Sequence, residues 1–273
     1  MWAEAVGEGG EQVTKAQGLH RITWAGGSPR KEELALSERP IVCLDPGHGP
    51  DTVNGSPDGS YREQEFAWDM YARIAPLLEE QGVEVVVTRT KDTKPSLTER
   101  AEISNRAGAD CFVSLHSNAA GNGGWYDARG LMIYTSSGPM TAPRNVLASD
   151  LVDAFCAAGV LVRGNPIAFE RYTVLVETEA PAALIEYGFH TSREDVELLK
   201  DGAYREKLAE ATARGICSFL GVAWTEEPSG GVAEWAEEAW EKATEKGVMD
   251  GTRPTDPVTR QELAVVLDRL GLI

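Results

Sequence analysis

IVCLDPGHG, residues 41–49, places a short apolar run directly against a loop in which His48 stands between two glycines. Strands that are buried on both faces read as apolar runs, and open α/β sheets bind ligands just beyond the ends of their strands. His48 is one of only four histidines in 273 residues. The stretch therefore predicts a buried strand that delivers His48 to the edge of a sheet, where it is a candidate for chemistry.

The chain that follows alternates helix and strand patterns. Residues 63–82, EQEFAWDMYARIAPLLEEQG, carry apolar side chains at three- and four-residue spacing, which predicts an amphipathic helix that Pro76 should kink near its end. Ser96 and Glu99 have the spacing of a capping box, so a second helix is expected to run from there to about Ala107.

The remaining predicted strands are apolar and rich in β-branched residues. They are VEVVVTRT at 83–90, DCFVSLHSN at 110–118, LMIYTS at 131–136 and AALIEYGF at 182–189, and further helices are expected over 146–158 and 204–220. Strands that alternate with helices favour an α/β fold, with a mostly parallel, twisted sheet covered by helices on both faces.

Changes in composition predict four segments. Residues 1–38 lack periodicity and are expected to form a loose arm, whereas 39–223 carry the α/β pattern of one domain. Residues 224–231 are polar and contain glycine, as linkers do. Residues 232–273 read as a small C-terminal helical hairpin, which is too short to build much of a core alone.

The overall charge limits the partners of the chain. A net charge of −17 and a pI near 4.7 argue against binding to nucleic acid or to an anionic membrane surface, because both would be repelled. An apolar run of about 18 residues is lacking, so no membrane-spanning helix is expected. The first residues, MWAEAVGEGGEQ, have neither the basic start nor the apolar core of a secretory signal.

Four cysteines occur without the paired spacing of a zinc or redox site. We expect all four to be small buried hydrophobic residues. They are Cys43, Cys111, Cys156 and Cys217.

Two histidines and a carboxylate are candidates for one metal site. His48 and His116 end two different strands, and parallel strands end at one shared edge of a sheet. Glu63 opens the first helix, whose N-terminus faces the same edge. Two imidazoles and one carboxylate form the three-ligand set of catalytic zinc. By spacing alone Glu65 is an equal candidate, and the alternative for each residue is a structural histidine or a solvated first-turn carboxylate.

Glu186 follows a run of apolar residues at the end of the strand 182–189. A carboxylate buried there would be costly without a cation or hydrogen-bond donors. Opposite a metal it would be placed to act as a general base, and a strand-end carboxylate in water is the alternative.

Five segments in unbroken order resemble the zinc-dependent N-acetylmuramoyl-L-alanine amidases of the Amidase_3 family: IVCLDPGHG, YREQEF, VVVTRT, SLTERAEISNRAGADCFVSLHSNA and ALIEYGFHTS, within residues 40–222. The resemblance implies one Zn²⁺ held by His48, Glu63 and His116, with Glu186 as the catalytic carboxylate. It favours Glu63 over Glu65. It also implies that 39–223 form a catalytic domain that cleaves the amide between the lactyl group of N-acetylmuramic acid and L-alanine in peptidoglycan.

Three positions near these motifs carry further expectations. Ser192 stands where the family usually has Asn, which leaves the local turn open. His190 occupies a position that is usually apolar and is expected to be a peripheral or packing residue. Asp45 is a candidate for orienting an imidazole, although capping of the loop explains it equally well.

Rival interpretations keep the same fold. One is a non-catalytic wall-binding protein or amidase regulator, and another is a zinc peptidase that cuts within stem peptides. Residues 234–270 resemble an S-layer-homology repeat, which implies binding to secondary cell-wall polymers; a docked hairpin or a dimer contact is the alternative. Without an export signal, the chain is expected to be a phage or prophage lytic enzyme in the host cytoplasm before release, or a mature secreted form acting on the wall.

Overall fold

The computed structural model describes residues 39–225, 236–248 and 260–270. The predicted arm, residues 1–38, and nearly all of the predicted linker, 224–231, lie outside these ranges. Within them the elements form a six-stranded sheet and eight helices.

The sheet has the order β2-β1-β3-β6-β4-β5. All neighbouring strands are parallel except β4 and β6, which are antiparallel. The predicted mostly parallel sheet is therefore confirmed. The strands are β1 (Ile41–Pro46), β2 (Glu84–Val87), β3 (Cys111–Asn118), β4 (Leu131–Thr135), β5 (Val162–Phe169) and β6 (Ala182–Phe189).

Strand β5 was not expected from the sequence. Its segment VRGNPIAF contains Gly164 and Pro166, which interrupt a strand pattern. The strand lies at the edge of the sheet, where a missing backbone N–H of proline is tolerated.

The helices predicted over 63–82, 96–107, 146–158 and 204–220 are present, whereas those at Thr173–Glu177 and Arg193–Lys200 were not expected from the sequence. Pro76 lies inside α1, which continues to Glu80, and the capping box of Ser96 and Glu99 is formed at the start of α2. The helices are α1 (Glu63–Glu80), α2 (Leu97–Ala107), α3 (Pro143–Ala157), α4 (Thr173–Glu177), α5 (Arg193–Lys200), α6 (Gly202–Leu220), α7 (Glu237–Glu245) and α8 (Arg260–Arg269). In the described part of the chain, no helix has both the length and the apolar character needed to cross a membrane.

Apolar side chains on the two faces of the sheet build two cores. The larger core joins one face of the sheet to α1, α3 and α6, and the smaller core joins the other face to α4. Along β6, Ala183 and Ile185 belong to the larger core and Ala182 and Leu184 to the smaller one. Because side chains alternate along a strand, Glu186 continues the row of Ala182 and Leu184 on the smaller-core face.

Cysteine burial differs from the expectation at one position. Cys43, Cys111 and Cys217 are buried, as predicted, but Cys156 is exposed. It lies in the last turn of α3, a helix that packs only one side against the larger core, so an apolar neighbourhood in sequence did not imply burial.

Candidate metal centre

Gly47 lets the strand-end loop approach the imidazole of His116. A Cβ atom added at Gly47 would lie 2.2 Å from Cε1 of His116, which no real contact allows. The next residue, His48, has a φ angle of 60°, in the left-handed region that non-glycine residues rarely adopt. The loop thus places the two rings edge to face, with centroids 4.9 Å apart.

Two buried arginines hold this loop by its carbonyl groups. Arg100 donates from Nη1 to the carbonyl oxygen of Pro46 at 2.8 Å and from Nη2 to that of His48. Arg89 donates to the carbonyl oxygens of Pro46 and Gly47 at 2.7 and 3.1 Å. Burial, followed by the charge of Arg100, lowers the pKa of Arg89 to about 10. Both arginines lie in the motifs VVVTRT and SLTERAE, but no local pattern indicates that they bind this loop.

Asp45 supports the loop through Arg100 and does not contact an imidazole among the residues described. Its Oδ1 accepts from Nη1 of Arg100 at 2.7 Å, and its Oδ2 accepts from Oγ of Ser114 at 2.6 Å. Burial tends to raise the pKa of Asp45, but Arg100 and these hydrogen bonds outweigh it and hold the pKa below its usual value. The expectation that Asp45 orients an imidazole is therefore wrong, and the alternative of loop support is the one observed.

The carboxylate of Glu63 joins the two histidines. Oε2 lies 3.0 Å from Nε2 of His48, and Oε1 lies 3.0 Å from Nδ1 of His116. The backbone N–H of Ser117 donates to the same Oε1 at 3.0 Å, which fixes the carboxylate. The side chain of Glu65 is exposed, and its Oε1 lies 3.8 Å from Nε of Arg62. Glu65 therefore points away from the cluster.

One ligand atom from each of His48, Glu63 and His116 lies within 4.8 Å of the others. Burial tends to raise the pKa of Glu63, but the hydrogen bonds to His116 and then His48 hold it well below its usual value. Burial of His116 disfavours its charge, yet the Glu63 carboxylate outweighs burial and raises the pKa of His116. Two imidazole nitrogens and a carboxylate oxygen are the donor set of a catalytic zinc site, so these three residues fit that ion.

Glu186 faces the cluster from the neighbouring strand. It is the register partner of His116 across β3 and β6, and both residues line one cavity of about 880 Å³ together with His48 and Glu63. Burial raises the pKa of Glu186 to about 8, with His116 opposing the shift and Glu63 adding to it. Its Oε2 is buried with no hydrogen-bond partner among the described residues. An unpartnered carboxylate oxygen beside three metal-type ligands fits a site that receives a cation and a polar substrate.

Behind the cluster lies a small hydrogen-bond chain that the sequence analysis missed. Oη of Tyr61 donates to Oγ of Ser117 at 2.9 Å, and Oγ of Ser117 lies 3.0 Å from Nδ1 of His190. The ring of His190 is buried and stacks on Tyr61. His190 is thus a packed residue, 3.8 Å from Oε2 of Glu63. Its partners are distant in sequence, so no local pattern indicates the contact.

Ser192 caps helix α5, since its Oγ accepts from the N–H of Asp195 at 3.4 Å. Serine at this position therefore serves as a helix cap, and the turn after β6 is formed.

The sheet, the paired histidines and the two carboxylates together define an α/β protein with a candidate metal site at the ends of its strands. Residues 42–218 match the sequence model of Amidase_3, N-acetylmuramoyl-L-alanine amidase, and the chain belongs to this family. The match ends before residues 232–273, so it lends no support to the S-layer-homology-like segment.

Curated relatives include the N-acetylmuramoyl-L-alanine amidase CwlM of Bacillus licheniformis, 34% identical over 177 residues, 64% of this chain and 66% of the relative. The probable cell wall amidase LytH of Staphylococcus aureus is 30% identical over 188 residues, 68% of this chain and 60% of the relative. The chain thus spans somewhat less than two thirds of the length of these relatives.

Solved structures give the same fold. An N-acetylmuramoyl-L-alanine amidase from Clostridium difficile 630 aligns with a TM-score of 0.62 at 31% identity, covering 69% of this chain and 100% of that one. The catalytic domain of CwlV, an amidase from Bacillus (Paenibacillus) polymyxa var. colistinus, aligns with a TM-score of 0.61 at 27% identity, covering 67% of this chain and 99% of that one.

Proposed function

We propose that the chain is a zinc-dependent hydrolase that cleaves the amide between the lactyl group of N-acetylmuramic acid and L-alanine in peptidoglycan. The observation that carries the proposal is the buried, unpartnered Oε2 of Glu186, a residue that lines one cavity with His48, Glu63 and His116. Membership of the amidase family supports the bond that is cut.

The metal would be held by the side chains of His48, Glu63 and His116. A bound Zn²⁺ supplies a Lewis acid for the substrate carbonyl and lowers the pKa of water toward neutrality. The chain itself orients these ligands. The backbone N–H of Ser117 fixes Oε1 of Glu63, and Arg89 and Arg100 hold the carbonyl groups of Pro46 and His48 in the loop.

Glu186 is the proposed acid–base group. Its carboxylate takes a proton from the attacking water while the water oxygen bonds to the amide carbon, and it gives that proton to the alanine nitrogen as the carbon–nitrogen bond breaks. The products are a free lactyl carboxylate and a peptide with a free alanine amine.

The decisive experiment is digestion of purified peptidoglycan by the zinc-loaded chain, with and without a chelator, followed by mass spectrometry of the new ends. We expect free L-alanine amines that disappear with the chelator and with Glu186→Gln. Interior amines would instead identify a stem-peptide peptidase. Absence of new ends would favour a wall-binding protein or an amidase regulator on the same fold.

Residues 232–273 are proposed to contribute wall binding, on the strength of their resemblance to an S-layer-homology repeat. The two predicted helices are present as α7 and α8. Purified walls should retain the full chain better than a chain that ends at residue 225, and equal retention would favour a docked hairpin or a dimer contact. The bacterial wall is the proposed place of action, for either a phage lytic enzyme or a secreted form.

A further inference from the structure

A second, polar cavity of about 380 Å³ adjoins the catalytic cavity. The side chain of Arg171 lines both cavities, so it marks the place where they meet. Other polar residues lining the second cavity are Ser136, Ser137, Arg144, Thr178 and Glu179. The metal-centre chemistry described above uses none of these residues.

The charge of this second cavity favours an anion. Two arginines line it against one acidic residue, Glu179, in a chain whose net charge is −17. Nη1 of Arg144 is held by Oγ of Ser136 at 2.9 Å and Oγ of Ser137 at 2.7 Å, which fixes the guanidinium. Within the described ranges Arg171 forms no ion pair. Its guanidinium therefore remains available for a bidentate contact with a carboxylate.

A buried hydroxyl in the same cavity lacks a partner. Thr178 is only 8% exposed, and its Oγ1 has no hydrogen bond to any described residue. Buried polar atoms are nearly always paired, and an unpaired one marks a place where a partner is missing. Thr178 lines the second cavity, so a ligand oxygen that displaces the atoms covering Oγ1 would satisfy the hydroxyl.

The spacing along β6 relates the two cavities. Ala182 lines the second cavity and Glu186 the first, and both project from the same face of the strand. Four residues of strand span about 13 Å. An extended peptide advances about 3.3–3.6 Å per residue, so about four residues of substrate bridge that distance.

We propose that the second cavity is a subsite for a carboxylate of the stem peptide, about four residues beyond the amide that is cleaved. Arg171 and Arg144 supply the charge and Thr178 a hydrogen bond. This inference rests on the proposed amidase function, because it places the cleaved amide of the substrate next to Glu186.

Binding of two matched ligands tests the subsite. They are an N-acetylmuramoyl tetrapeptide with a free C-terminal carboxylate and the same compound as its C-terminal amide. The full chain carrying Glu186→Gln is used, because it leaves both ligands uncleaved. We expect calorimetry to show that it binds the acid about tenfold more tightly than the amide, the effect of one charge-assisted hydrogen bond. Arg171→Gln in that background should weaken binding of the acid to the level of the amide.

Thr178→Val separates binding from folding. The isosteric change removes an unpaired buried hydroxyl, so the midpoint of thermal unfolding should stay the same or rise. The ratio of the affinities for the acid and the amide should fall. Lys94→Gln is the matched control, because Lys94 lines only the catalytic cavity and its loss should shift both ligands alike. Equal affinity for acid and amide, a preference that survives Arg171→Gln, or no binding of either ligand would overturn the subsite.

Turnover by the chain with Glu186 intact distinguishes this inference from the proposed function. If both compounds are cleaved at equal rates and bound with equal affinities, the proposed amidase function is supported and the proposed subsite is contradicted. Binding that prefers the acid but yields no cleavage with zinc leaves a carboxylate-binding cavity and removes the amidase.

Discussion

His116 and Glu186 lie directly opposite each other on the parallel strands β3 and β6. Paired positions of neighbouring strands project from one face of a sheet, so the strands alone bring a histidine of the cluster next to the unpartnered carboxylate. Glu63 and His48 reach the same place from a helix start and a loop. The rigid part of the fold therefore positions the proposed acid–base group relative to one proposed ligand.

Replacing Glu186 by Gln should stop turnover and leave the metal in place. The amide keeps the size of the side chain but takes up no proton, so the rate should fall by about 10²–10⁴-fold, the usual contribution of a general acid–base group. Reaction rates on peptidoglycan and zinc content by elemental analysis measure the two effects. A variant that keeps the rate of the unchanged chain would rule out Glu186 as the base.

His48→Ala and His116→Ala should each lose both zinc and activity, because two remaining ligands hold zinc poorly. The matched control is Glu65→Ala, since Glu65 lies two residues from Glu63 but is exposed and pairs with Arg62. We expect that variant to retain zinc. Loss of zinc from Glu65→Ala, with retention in His48→Ala, would mean that the ligand set is assigned wrongly.

Gly47→Ala should weaken zinc binding by about 10–100-fold, the range found when groups that orient metal ligands are changed. The added methyl group would overlap the ring of His116, so either the loop or the ring must move. Gly202→Ala is the control, since a Cβ there meets no atom within 4 Å. Competition with a chromophoric chelator measures the zinc affinity of each variant. Equal affinities would show that the loop shifts without disturbing the ligands, which would contradict the prediction.

Asp45→Asn should destabilise the metal-free chain by about 3–5 kcal/mol at pH 7, because it leaves buried Arg100 without its counter-charge. The folded pKa of Asp45 is lowered, so the stability it contributes is present above its unfolded pKa of about 3.9 and is lost as the pH falls below that value. The difference between the two chains should therefore shrink in acid.

Urea unfolding between pH 7 and pH 3 measures this difference. Asp92→Asn serves as the control, because Asp92 is exposed and its ion pair with Lys91 should contribute less than about 1 kcal/mol. A difference that stays constant down to pH 3 would contradict the assigned charge state of Asp45.

Much of the fold could be predicted because its signals are local. The apolar runs of β1, β3 and β6, the helical spacing of α1 and the capping box of α2 each depend on residues within a few positions of one another. The two strand-end histidines could be placed at one edge for the same reason. Strand β5 was missed, since Gly164 and Pro166 erase the local pattern and an edge position tolerates them.

The sequence by itself determined the α/β pattern, the strand-end positions of His48 and His116, and the resemblance that singled out Glu63 and Glu186. Only the tertiary structure turned Glu63 toward His48 and His116, paired Asp45 with Arg100 across 55 positions, and joined Tyr61, Ser117 and His190 into one hydrogen-bond chain. The physical reason is that burial in the metal centre and long-range hydrogen bonds depend on how helices and loops pack onto the sheet, and residues far apart in sequence carry no local mark of that packing.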